Sequence, residues 1–316
     1  MSWSGAYWRL LVGKLDAGDI RNRGIELVLR GVPVKSKDFS WDALLNFSIN
    51  RNKVLRMPGD VTEYVYGTDI SRSYGSGITQ KIVLGESYGN IYGNYFMHYG
   101  PNSGDESAPL LIGANGYPVS SGSTFKLLGN SQPDWIGGIT NNFRYKRLTL
   151  STLIDARWGF EKYDGLENFY SAFGLPKYTE ERRSFKVFEG VLANGTPNTK
   201  SVWMGQGLAP DGVVYSAQGY YRDVYRLLAE PFVQDASWIK LRSVSLGYAI
   251  PTAWLPKNAI RSASLSVTAN NILLHTNYYG LDPESSAFNS GSNIDGSAGF
   301  TYPAARSVLF TLNVGL

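Results

Sequence analysis

Residues Asp38 to Asn50 read DFSWDALLNFSIN. The odd-numbered positions Phe39, Trp41, Ala43, Leu45, Phe47 and Ile49 are apolar, and the even-numbered positions are polar except Leu44. Successive side chains of a strand leave opposite faces, so this period of two predicts a long strand with one greasy and one wet side. The pattern recurs three times. Ala263, Leu265, Val267 and Ala269 alternate with Ser264, Ser266, Thr268 and Asn270. Leu148, Leu150, Ile154, Ala156, Trp158 and Phe160 oppose Arg147, Thr149, Ser151, Asp155 and Arg157. Near the end of the chain Val308, Phe310, Leu312, Val314 and Leu316 face away from Ser307, Thr311 and Asn313.

Weaker cases of the same signal bring the expectation to about nine strands, over residues 20–32, 38–51, 79–85, 90–99, 133–146, 147–161, 236–250, 259–274 and 304–316. The links between them differ in length. Short turns fall near Pro33 to Lys37, Glu86 to Gly89, Lys146 to Arg147 and Pro251 to Lys257, and long Gly/Ser/Asn-rich links occupy 52–78, 100–132, 162–235 and 275–303. Loops longer than about 15 residues are uncommon in compact domains. Long and short links alternating along an antiparallel sheet describe an up-and-down transmembrane β-barrel, with lipid on the apolar face and a polar lumen on the other. A soluble sandwich would also alternate, but its strands are usually about five or six residues long. Phe39, Trp41, Phe47, Leu150, Trp158, Leu265, Val267, Phe310 and Leu312 are the expected lipid-facing residues. Trp41, Tyr145, Trp158, Trp238 and Tyr248, near strand ends, are candidates for interfacial girdles.

Composition agrees with an all-β chain. Of 316 residues, 35 are glycine and 21 tyrosine, aromatic residues make up 14% and charged residues 18%, a balance that suits strands better than helix bundles. With no cysteine, disulfides, thiol catalysis and zinc–thiolate sites are excluded. The net charge of +4 is spread along the chain, and the short run Glu180, Glu181, Arg182, Arg183 reads as a solvated loop. Nucleic-acid binding is not indicated. No apolar run is long enough for a spanning helix, and no signal peptide is visible at the start. The expectation is therefore either a cytoplasmic protein or a chain whose beginning lies elsewhere.

Longer blocks carry a family resemblance. GDIRNRGIEL (Gly18 to Leu27), DFSWDALLNFSINRNKV (Asp38 to Val54), PDWIGGITNNFRYKRLTLS (Pro133 to Ser151), DASWIKLRSVSLGYAIP (Asp235 to Pro251), SLSVTANNILLHTNYYGLDPE (Ser264 to Glu284) and YPAARSVLFTLNVGL (Tyr302 to Leu316) resemble the barrel of the SusC/RagA family of TonB-linked outer-membrane transporters. The resemblance implies a barrel of about 22 strands with a plugged lumen, in the outer membrane of a Gram-negative, Bacteroidetes-like cell. It implies a TonB box on the periplasmic side and a SusD-like surface lipoprotein that captures oligosaccharides or peptides. Residues 1–316 are expected to be the C-terminal part of such a barrel, without plug, TonB box or signal peptide, so TonB would act only through segments not in this sequence. Leu316 stands where family members usually finish on an aromatic residue. The competing expectation is a stand-alone β-barrel or soluble β-domain serving as a structural or binding module.

No enzyme constellation, cofactor motif or metal site emerges. His98 and His275 are far apart and outside any HExxH arrangement, and neither a GxSxG elbow nor a phosphate loop is present. Gly85, Gly89 and Gly93 mark a turn. Asp282 and Glu284 flank Pro283 and invite comparison with a glycosidase carboxylate pair. Import needs a binding surface rather than covalent chemistry. The long loop offers Tyr163, Phe169, Tyr170, Trp203, Tyr220 and Tyr221 as candidate contacts to substrate or partner, because aromatic faces stack on sugar rings or peptide side chains. The alternative for each is packing of the loop against itself.

Overall fold

The computed structural model describes residues 18–66, 77–256, 259–286 and 296–316; the parts of the expected links at 67–76 and 287–295, and turn residues 257–258, lie outside them. Along the chain, β1 (Asp19–Lys35) and β2 (Phe39–Arg56) precede four short strands, β3 (Glu63–Val65), β4 (Ile78–Val83), β5 (Asn90–Gly93) and β6 (Lys126–Asn130). Next come β7 (Trp135–Tyr145), β8 (Leu148–Trp158), β9 (Glu161–Asp164), helix α1 (Gly165–Phe173), the hairpin β10 (Phe185–Val187) and β11 (Ser201–Trp203), and helix α2 (Tyr220–Asp223). The chain closes with β12 (Val233–Asp235), β13 (Trp238–Ala249), β14 (Ser262–Thr276), β15 (Ser297–Ala298) and β16 (Ser307–Gly315).

Seven long strands form one antiparallel sheet, here called the wall, in the order β1-β2-β7-β8-β13-β14-β16. Seven of the nine expected strands are therefore wall strands. Those expected at 79–85 and 90–99 are not: β4 and β5 belong to a separate four-stranded sheet, β3-β4-β5-β6. The physical reason is that a short run of strand-forming residues bounded by glycine turns builds a small sheet inside a loop as readily as a wall strand. Expected links 52–78 and 100–132 consequently merge into one long insertion between β2 and β7. The wall is open among the described residues, with β1 and β16 at its edges.

Register turns the sequence periodicity into a surface. Cross-strand partners place Trp41, Phe143, Leu150, Leu246, Val267 and Phe310 in one row across six strands. The neighbouring row runs Phe39, Tyr145, Leu148, Tyr248, Leu265 and Leu312. Phe47 pairs with Gly137 and Trp158 with Trp135 on the same face, the two indole rings stacking at 6.2 Å. All nine candidates for lipid contact thus share one side of the sheet. The opposite side is polar, for example Asp42, Asn142, Ser151, Ser245 and Thr268 in one row, with Ser245 and Thr268 hydroxyls 2.7 Å apart. Trp238 corrects the girdle expectation. It pairs with Arg157 on the polar side and is 4% exposed, packed with Phe160, Ala236, Tyr278 and Ala298 and with the Lys240 and Arg242 cations over its ring.

Along the wall short turns and long links alternate, three of each, while the turn expected at Glu86 to Gly89 lies inside the small sheet. The β7–β8 connection is two residues, and Lys146 takes φ 51° there, the positive value that a tight hairpin turn demands. A bulge opposite Arg242 sets Asn271 at φ 53°, and its side chain donates to Ala305 O at 2.8 Å.

Candidate functional site

The links on the other end of the wall pack into a body of their own. The insertion after β2, the insertion after β8 and the link after β14 share three buried clusters. One joins Ile78, Ile91, Tyr163, Ala229 and Phe232; the second joins Ile112, Tyr117, Phe188, Val202, Met204 and Tyr220; the third joins Phe160, Ala236, Trp238, Tyr278 and Ala298. Strand β9 sits at the junction, antiparallel to β12 and parallel to β15.

Helix α1 follows directly. Asp164 caps it, accepting from Glu167 N at 2.9 Å, and Gly174 ends it at φ 70°, where a side chain would also meet Arg182. Its inner face buries Leu166, Asn168 and Ser171, with Asn168 donating to Arg226 O at 2.8 Å. Its outer face carries Phe169 and Phe173, whose rings lie 4.8 Å apart, and Phe300 stands edge-on to Phe169 at 5.1 Å.

The six expected contact residues separate into two groups. Tyr163 is 0% exposed and Tyr220 is 5% exposed, so both are packing residues. The ordering of so large a loop requires such a core, which the alternative reading of each aromatic anticipated. Phe169 is exposed, and Tyr170, Trp203 and Tyr221 are half-buried. Tyr221 donates to Tyr178 O at 2.7 Å, and Trp203 packs on Phe185.

A cleft of about 400 Å³ opens beside α1, lined by Phe173, Trp203 and Tyr221 together with Arg182, Arg183 and Arg222. The three arginines and Phe173 escaped sequence reasoning, because the run at 180–183 looks like any solvated loop. The available signal was a third arginine, Arg222, directly after two of the candidate tyrosines.

A charged cluster ties the loops to the wall. Lys240, on the polar face of β13 and 5% exposed, donates to Asp282 Oδ1 at 2.8 Å and is also paired with Glu284. Arg242 grips Glu284 and reaches Asp155 at 3.1 Å. Nearby, Lys162 donates to Pro283 O at 3.1 Å. Burial pushes the Asp282 and Glu284 carboxyls up, but the cations outweigh it and hold both below their ordinary values. A glycosidase acid needs the reverse, a raised carboxyl. In the loop core burial wins instead and raises both Asp164 and Glu167.

Comparison with known proteins agrees on one group. No family model matches the chain. TonB-dependent receptor P3 of Formosa agariphila is 27% identical over 95% of the chain, and TonB-dependent receptor SusC of Bacteroides thetaiotaomicron is 25% identical over 95%. The chain spans 29% and 27% of the lengths of these two relatives. Among solved structures, the RagAB peptide transporter superimposes with TM-score 0.61 at 18% identity, covering 95% of this chain and 30% of that one. Over nearly its whole length, then, this chain has TonB-dependent receptors as its relatives, SusC among them, and shares its fold with RagAB, so the resemblance read from its sequence blocks is borne out.

Proposed function

We propose that the chain forms the C-terminal part of the barrel wall and the extracellular gate of an outer-membrane nutrient importer, a SusC-like TonB-dependent transporter for oligosaccharides or oligopeptides. The observation that carries this is the apolar row Trp41, Phe143, Leu150, Leu246, Val267, Phe310 on a sheet whose other side is polar. Lipid covers such a face, and a closed wall is what satisfies strand backbones in a bilayer. Both open edges point the same way. β1 and β16 are exposed along almost their whole length, an aggregation hazard that pairing with further wall strands removes.

The loop assembly, rich in aromatic side chains above the polar face, then meets cargo and a SusD-like surface lipoprotein. Energy would reach it through a plug and TonB box. No catalytic step is part of this reading. The relatives bear receptor names, and Asp282 and Glu284 are consumed in the tether. The test is deletion of the gene followed by outer-membrane fractionation of the wild type and uptake of fluorescently labelled oligosaccharide and oligopeptide pools. The protein should co-fractionate with the outer membrane and its loss should abolish uptake of one pool. A soluble protein, or unchanged uptake of both pools, would sink the proposal and favour a stand-alone binding module.

A further inference from the structure

The cleft beside α1 gathers three guanidinium groups, and no Asp or Glu lines it. Among the described residues none of Arg182, Arg183 and Arg222 has a carboxylate in ion-pair contact. Asp223, next to Arg222, has its Oδ2 committed to Ser216 Oγ at 2.6 Å and Gln218 N at 2.9 Å. Like charges converging in a concavity raise its potential and attract an anion.

The arginines are partly placed in advance. Arg182 is held by Gly174 O at 3.2 Å and Thr179 O at 3.3 Å. Arg222 lies over the Phe173 ring at 5.6 Å. The Arg183 side chain makes no hydrogen bond or ion pair among the described residues, and it is exposed. Around them stand the flat rings of Phe173, Trp203 and Tyr221, with the amides of Gln206 and Gln218 between.

An extended peptide would add main-chain bonds along a strand edge. Much of the backbone of these walls is already spent: Met204 N bonds Ser184 O, Tyr220 N bonds Met204 O, and Gly207 N bonds Ser216 O. Recognition here falls to side chains. Guanidinium forks match planar or tetrahedral oxyanions, ring faces match the apolar face of a pyranose, and amides match hydroxyls.

Resting on the importer reading for its cargo route, we propose that this cleft binds an anionic oligosaccharide, a sugar ring bearing a carboxylate or a sulfate. The test is calorimetric titration of the detergent-solubilised full-length importer that contains this chain with oligogalacturonate, a sulfated carrageenan oligosaccharide, maltohexaose and pentaglutamate. One or both charged sugars should bind, with affinity falling as salt rises, and which of them binds identifies the anion. Arg183→Gln and Arg222→Gln should each weaken that binding about tenfold or more, as loss of a charged hydrogen bond predicts. Trp203→Ala should weaken it as well. Arg183→Gln also guards against misfolding, since that side chain supports nothing else.

Equal binding of maltohexaose, preference for pentaglutamate, no binding, or full affinity in both arginine variants overturns the proposal. Failure of the cleft would leave membrane insertion and uptake of other cargo intact. Charged-sugar binding by a protein that does not fractionate with the outer membrane would instead overturn the importer reading and keep the cleft.

Discussion

Phe310 in the wall is 75% exposed, whereas Phe232 in the loop assembly is 0% exposed. The contrast is general. Leu246, Leu265 and Leu312 are 53%, 48% and 63% exposed on the wall, while Ile78, Ile91 and Tyr163 of the loops are at or below 2%. The usual arrangement, rigid scaffold inside and loops outside, is reversed in burial. The wall leaves the apolar residues of one face exposed. The loops carry their own core.

If the two regions are energetically separate, the largest effects should be confined to one of them. Tyr163→Ala empties a position at the heart of the loop core and should cost about 3–5 kcal/mol there. Native-state hydrogen exchange should show loop amides losing protection while β2, β7 and β8 keep theirs. Uniform loss would mean that loops and wall unfold as one unit. Lys240→Met probes the joint between them. It strips Asp282 and Glu284 of a buried cation, and breaking a buried pair costs about 3–5 kcal/mol. The link after β14 should then become protease-sensitive, and an unchanged digestion pattern would show that the tether does not hold it.

The wall answers to a different substitution. Val267→Arg, in the apolar row on β14, should destabilise the vesicle-inserted protein by about 2–4 kcal/mol. Thr268→Arg, one residue along and on the polar face, should cost less, chiefly the hydroxyl contact to Ser245, worth about 1 kcal/mol. Denaturant titration in lipid vesicles compares the two. Equal costs would remove the distinction between the faces.

The same contrast explains what could be read in the sequence. Wall strands were legible because a two-sided environment imposes period two on each of them, as in Asp38 to Asn50. The strands expected at 79–85 and 90–99 are short and rest on strand-forming residues between glycine turns, and nothing in so short a run says which sheet it joins. The loop core was illegible for the opposite reason. Tyr163 and Tyr220 sit in a four-residue strand and a four-residue helix, elements too short for burial to leave a period, so buried and exposed tyrosines look alike. The tether left a faint trace: Lys240 and Arg242, two apart on one strand face, answer Asp282 and Glu284, two apart in a loop. The cleft arginines are brought together from 182, 183 and 222 by helix ends and turns, which sequence spacing does not encode.

The smallest expected effect separates the regions by pH. Asp282 and Glu284 in the tether have folded values below the ordinary 3.8 and 4.5. Their stabilisation is present above those values and is lost as pH falls through the lower folded ones. Asp164 and Glu167 in the loop core are raised by burial above 3.8 and 4.5. Their contribution is fully present below the ordinary values and is lost as pH rises through the raised ones. Acidification from neutrality should therefore first tighten the loop core and only below about pH 4.5 loosen the tether. Asp164→Asn separates the two limbs. The amide oxygen still accepts from Glu167 N, and asparagine is as good a helix cap as aspartate, so stability should change by no more than about 1 kcal/mol. What should shrink is the rise in loop protection on mild acidification, leaving the acid-side loss as it was. Exchange of α1 amides measured from neutral to acid pH reads both limbs, and a variant that still tightens as strongly as the wild type would show that Asp164 does not carry the first.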